Sequence, residues 1–362
     1  VKAFNLIQDR SFLMKRVGDI SQIAGLKRYE LADGKAKGVA AVDVKTGSGF
    51  DFTVLPGRGM DVAWAEYKGV PVSYLSKTGI VSPEYFESTG LNWLRSFFAG
   101  MLTTCGLSNV GWPCEDDVPP FGAQPFGLHG RISNCGADNV CVQQEWQGDD
   151  LVMTVSGRMR EAMLHAENLT LSRTIVTSLG QKSFKLHDVI ANEGFVARPL
   201  MLLYHINVGY PVLDQHSRLI VHSKEIQPSD AVSLQNQERY KQMGAPVCSA
   251  PENVYFHDLK TGPDGMTSVG LVNDELELGV YVRFNKQQLP RFTEWKMLAE
   301  AEYVVGLEPG NCSPVGRVEQ KKRHALEMLQ PGEQKQVELE IGILDGKETI
   351  AAFEEAVESF NS

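Results

Sequence analysis

The run Leu276, Leu278, Val280, Val282 and Phe284 places an apolar residue at every second position. That is the period of a β-strand, whose side chains point alternately to its two faces. The alternation recurs in Phe50, Phe52 and Val54, and again in Val337, Leu339 and Ile341 after a Pro331-Gly332 turn. Val140, Val142 and Trp146 lead through Gly148-Asp149 to Leu151, Met153 and Val155, which predicts a hairpin. Leu169, Leu171 and Thr174-Ile175-Val176 reverse at Gly180 and return through Phe184 and Leu186. Strands of this kind bury one face each and join by short reversals, so the chain is constrained to antiparallel sheets packed around a core. Helical spacing is confined to Ile350, Phe353, Val357 and Phe360 near the C-terminus, with a short helix expected between Leu91 and Phe98. No Pro/Ser-rich linker or internal repeat divides the sequence. We therefore expect an all-β chain: one large antiparallel sandwich over residues 1–362, with 1–20 as an N-terminal segment and 346–362 as a C-terminal helix.

Charge and cysteine content narrow the functional classes. Forty-five acidic against 35 basic residues leave a formal charge of −10, which disfavours nucleic acid or an anionic membrane as partner. No apolar run is long enough for a transmembrane helix, and no basic, apolar leader is seen, though the sequence begins at Val1 rather than Met. The six cysteines, Cys105, Cys114, Cys135, Cys141, Cys248 and Cys312, lack Cys-x-x-Cys spacing. Reduced thiols in a cytoplasm fit that pattern better than a disulfide framework or a zinc site.

Three short segments carry the candidate chemistry: Gly127-Leu128-His129-Gly130, Tyr204-His205-Ile206-Asn207 and Gly306-Leu307-Glu308-Pro309. The flanking glycines would let a ligand approach the backbone near His129. Period two sets His205 on the face of Leu203 and Asn207, opposite Tyr204 and Ile206. Glu308 ends an apolar approach from Tyr303. Desolvation there would raise its pKa and make it a base near neutral pH, unless a cation such as Arg317 pairs with it. An imidazole and a carboxylate on opposite sides of a sugar's anomeric carbon suffice to open and close the ring, with no metal or cofactor. Arg58, in Pro56-Gly57-Arg58-Gly59, and Arg95, among Trp93, Leu94 and Phe97, are candidates for binding a hydroxyl or acid group. Trp295 and Lys296 lie on a predicted strand just before Glu308. The proline- and acid-rich stretch from Trp112 to Gln124 predicts a long exposed loop bordering the site. No Gly-x-Gly-x-x-Gly context, Walker lysine loop or Gly-x-Ser-x-Gly elbow is present, so nucleotide binding and serine hydrolysis have no starting point.

In this order the segments resemble the aldose 1-epimerase, or galactose mutarotase-like, family. Asp188-Val189-Ile190-Ala191-Asn192 and Leu329-Gln330-Pro331-Gly332-Glu333 support the resemblance. Leu55 to Asp61 and Leu94 to Leu107 are similar to an uncharacterised branch of it. The resemblance implies a β-supersandwich with a sugar as its small-molecule partner, no cofactor, and reversible ring opening by an isomerase of carbohydrate metabolism, as monomer or homodimer. It implies Glu308 as base, His205 as acid and His129 as the histidine that holds the sugar near its ring oxygen, with Arg95 matched to the family's arginine. Two departures stand where sugar hydroxyls are read. Tyr204 to Gly209 replaces the family's Asn-His-Thr/Ser-Tyr-Phe-Asn segment, and the substrate-fixing aspartate has no matching position. Two other readings fit the same residues. One is a non-catalytic carbohydrate-binding module. The other is a sugar isomerase holding a divalent metal through His129, His205 and Glu308. A phosphosugar enzyme would further need a cationic cluster drawn from Arg58, Arg95, Arg131 and Lys296.

Overall fold

The computed structural model describes residues 9–361. The predicted alternation becomes sheet throughout, and every ladder between its strands is antiparallel. Five strands between Gly25 and Pro71 form one sheet in sequence order. A second sheet has eight strands, including the two predicted hairpins and the period-two run, which is strand from Leu278 to Asn285. Leu276 falls outside that strand and is exposed in the preceding turn, so the run is one residue pair shorter than its pattern suggests.

The third sheet carries the candidate residues. Its strands Arg291–Ala299, Glu302–Gly310 and Arg198–Gly209 lie side by side, and Thr103–Leu107 pairs with the last of them. The inner faces of all three sheets meet in one core, where Phe52 packs 4.6 Å from Phe184 and Leu202, Tyr204 and Ile206 face inward. The alternate residues Met201 and Leu203 point the other way, into a smaller cluster with Trp93, Phe97, Leu128 and Cys312. His205 belongs to that second face.

Behind the strand sits a buried ion triad. Arg173 donates to both oxygens of Asp188, at 2.9 and 2.7 Å, and to Asp61 at 3.1 Å; all three side chains are fully buried. Tyr204 Oη adds a bond to Asp188 at 2.7 Å, and Thr104 bonds Asp61 through both its backbone N–H and its hydroxyl. A charge inside a protein persists only when paired this completely.

The C-terminal helix spans Lys347–Glu358 and buries Ile350 and Val357 against Ile220, Val272 and Leu344. The helix expected between Leu91 and Phe98 is a single 3₁₀ turn, Asn92–Arg95. One expectation fails. The stretch from Trp112 to Gln124 is not a plain loop but contains a hairpin, Cys114–Asp117 against Ala123–Phe126. Asp116 ties it to the helix Arg317–Lys322, accepting from Arg317 Nε at 2.9 Å and Lys321 Nζ at 3.0 Å. No helix among the described residues is long and apolar enough to cross a membrane. All six cysteines are free.

Candidate active site

Register brings the central pair together. Leu203 opposes Gly310 and Ile206 opposes Leu307, so His205 stands directly across from Glu308. Directly opposed residues of an antiparallel pair share a face. His205 Nε2 lies 3.1 Å from Glu308 Oε1, at an angle that makes no hydrogen bond. Both side chains are buried, 6% and 2% exposed. The two groups are therefore neighbours on one floor rather than on opposite sides of a shared space.

His129 arrives from a different segment with a left-handed backbone, φ 55°. Its ring centre is 6.0 Å from that of His205 and 4.7 Å from Trp93. The Gly111 N–H donates to His129 Nδ1 at 3.4 Å, which assigns the ring proton to Nε2. The flanking glycines are not open to a ligand. A Cβ on Gly127 would sit 2.3 Å from the Ser88 carbonyl oxygen, and one on Gly130 2.2 Å from that of Gly106. They are glycines because backbone packs on them.

Electrostatics set the resting protonation. Burial lowers His129 to about 4, and burial with the neighbouring His129 lowers His205 to about 3. Burial, then the charge of Glu252, raises Glu308 well above the usual carboxylate range. The causes act on the two partners in the same sense: each group is pushed toward its neutral form. Burial thus favours Glu308 over His205 as the seat of the pair's mobile proton.

Aromatic rings wall this floor. Phe97 and Trp295 lie 5.1 and 5.2 Å from the His205 ring, and Trp93 stacks on Phe97 at 4.5 Å. Trp295 is half-buried and donates its Nε1–H to Glu252 at 2.9 Å. Ten buried side-chain polar atoms among the described residues have no partner. Four of them, Thr293 Oγ1, Glu308 Oε1, His205 Nδ1 and Asn207 Oδ1, fall on this one face of three adjacent strands. Buried polar atoms left unpaired cost stability, so their concentration here marks a surface built for something other than packing.

The remaining sequence candidates divide. Asn207 joins the floor, with its amide held by the carbonyls of Gly100 and His205. Trp295 joins it as a wall. Lys296, one residue on, points to the other side of the sheet, where its ammonium donates to the carbonyls of Arg239, Tyr240 and Gln242. Arg58 is 1% exposed and donates to the carbonyls of Ser133, Val81 and Ser96, so it is a structural strut. Arg95 is exposed and bonded to Asn92 within its own turn. Arg317 pairs with Asp116 and not with Glu308. No group of three or more His, Cys, Asp or Glu side chains among the described residues is arranged to hold a metal. Sequence reasoning missed Thr293 and Glu252, and it quoted Gly306 beside Glu308 without giving it a role. Thr293 and Gly306 follow from sheet register once Glu308 is placed; nothing local to Glu252 signals it.

Comparison with known proteins agrees with this architecture. A provisionally named aldose 1-epimerase from Klebsiella pneumoniae superposes with a TM-score of 0.88 at 24% identity, covering 97% of this chain and 91% of that one. A galactose mutarotase-like protein from Clostridium acetobutylicum gives 0.62 at 14% identity over 90% and 99%. A galactose 1-epimerase from Lactobacillus acidophilus gives 0.58 at 11% identity over 89% and 99%. At these identities the likeness shows the fold, which is the galactose mutarotase-like supersandwich. No curated protein matches the sequence. The family model described as a domain of unknown function, DUF4432, matches residues 36–343, and the chain belongs to that family.

Proposed function

We propose that the protein is a cofactor-independent sugar isomerase that interconverts the anomers of an uncharged sugar. The observation that carries this reading is the side-by-side placement of His205 and Glu308, ringed by unpartnered polar atoms and aromatic walls. The two oxygens that exchange protons in a hemiacetal sit on one carbon, so a donor and an acceptor on one floor can reach both at once. Of the four cations a phosphate would draw on, Arg58 and Lys296 are spent on backbone carbonyls and Arg95 on its own turn, which leaves Arg131 as a lone exposed cation rather than a cluster. That supports an uncharged substrate.

The proton balance closes within the pair. Substrate hydroxyls entering the site supply hydrogen bonds to charge, and the mobile proton passes from Glu308 to His205 Nε2. Glu308 then takes the anomeric O–H proton while His205 gives its proton to the ring oxygen. The C–O bond of the ring breaks with its electron pair going to that oxygen, and the aldehyde forms. The pair starts and ends in the neutral state that burial favours, and the charge-separated pair exists only between the two proton transfers. Rotation about the adjacent carbon–carbon bond, followed by the reverse steps, closes the other anomer. The proton on His129 Nε2 steadies the ring oxygen.

The test follows interconversion of anomerically pure sugars by NMR, corrected for the spontaneous rate. Glu308→Gln keeps shape and removes the proton acceptor, and should lower kcat by roughly 10²–10⁴-fold. A folded Glu308→Gln protein with wild-type turnover removes Glu308 from the mechanism. Wild-type protein that binds sugars without interconverting them supports a binding module instead.

A further inference from the structure

Gly306 sits in the middle of the strand Glu302–Gly310, opposed by Trp295 on one side and Asn207 on the other. It is buried, and it is not among the glycines with positive φ. Nothing in the backbone conformation calls for glycine there. A glycine inside a strand costs conformational entropy and packs nothing, so its usual justification is close approach by another group. That group is identifiable. A Cβ on Gly306 would lie 2.5 Å from Glu308 Oε1, 3.2 Å from His205 Cε1 and 3.2 Å from Trp295 Cβ. The first distance is inside any permitted contact. The Glu308 carboxylate leans back along its own strand and occupies the space a side chain at 306 would fill. The same oxygen, from that position, lies 3.1 Å from His205 Nε2.

We propose that Gly306 is a positioning residue: its missing side chain reserves the space that sets the Glu308 carboxylate beside His205. The turnover arm of the test rests on Glu308 acting as a proton carrier; a second arm does not. Three variants are needed: Gly306→Ala, Glu308→Asp and the two combined. Asp retracts the carboxylate by one methylene, out of the methyl's way. Gly306→Ala should lower kcat by about tenfold or more with KM nearly unchanged, and the double variant should be no worse than Glu308→Asp alone. Losses that multiply in the double variant, or a Gly306→Ala protein with wild-type kcat, overturn the proposal. The independent arm is titration of the Glu308 carboxyl by ¹³C NMR. Its midpoint should move by about one pH unit or more in Gly306→Ala, whether or not any sugar is turned over. An unmoved midpoint overturns the proposal even if the isomerase reading survives; a moved midpoint without anomer interconversion keeps it while that reading fails. If Gly306→Ala alone does not fold, recovery of folding in the double variant supports the proposal, and failure of both overturns it.

Discussion

His129→Asn isolates the cost of partly desolvating an imidazole at the site. Asparagine tolerates the left-handed backbone at this position, and its side-chain oxygen can take over the bond from the Gly111 N–H. The substitution therefore removes a titrating group and leaves the local structure its two requirements. In the folded protein His129 is lowered to about 4, against 6.5 when exposed. Between those values the unfolded chain binds a proton that the folded one does not, so stability falls as pH falls. The contribution is fully present above pH 6.5. At about 1.36 kcal/mol per pH unit, roughly 2 kcal/mol is lost by pH 5. That is a large share of a stability of about 5–15 kcal/mol. Urea unfolding of wild type and His129→Asn at pH 7 and pH 5, at equal ionic strength, reads the difference directly. The wild type should lose about 2 kcal/mol more than the variant. Equal losses in the two proteins would mean that the histidine titrates normally in the fold, and the argument from burial would fail.

Three further outcomes follow from the same geometry. Glu252→Gln keeps an acceptor for the Trp295 N–H but removes the charge that helps raise Glu308. The Glu308 midpoint should fall, and the alkaline limb of the pH–rate profile, on which the pair loses its proton, should move to lower pH; an unmoved limb refutes the coupling. Arg58→Met leaves three buried carbonyls without donors and should cost about 3–5 kcal/mol in denaturant unfolding, with kcat/KM per folded molecule unchanged. Asp188→Asn strips a charge from the Arg173 triad and should cost about 3–5 kcal/mol by the same assay; a loss below about 1 kcal/mol would show the triad to be dispensable.

Period two and glycine-marked turns made the sheets legible, because each strand records in its own residues which face is buried. The facing of His205 was readable for the same reason. What lay beyond reach was the choice of partner. Nothing near Arg58 or Lys296 states that three backbone carbonyls from distant loops will claim each cation. The hairpin after Trp112 was hidden because its prolines and acids read as loop, and the residues that hold it, Arg317 and Lys321, come from some 200 positions later. Gly127 and Gly130 carry the same lesson in reverse. A glycine shows that something comes close, and only the tertiary structure shows whether that is a ligand or another stretch of backbone.

Among the described residues, the strand that carries His205 pairs with no strand near it in sequence. It pairs with Thr103–Leu107 on one side, and with Glu302–Gly310 and Glu327–Leu329 from the far end of the chain. His205 faces Thr103 across one ladder and stands opposite Glu308 across the other, in each case about a hundred residues away. Closing loops of this length costs entropy before the contact repays it, so pairing of this range slows folding. No fragment that stops short of Glu308 contains the pair, and a nascent chain can bring its two members together only after most of its sequence has been made. The proton exchange proposed between them thus requires a nearly complete chain, and no isolated N-terminal or C-terminal half could carry it out.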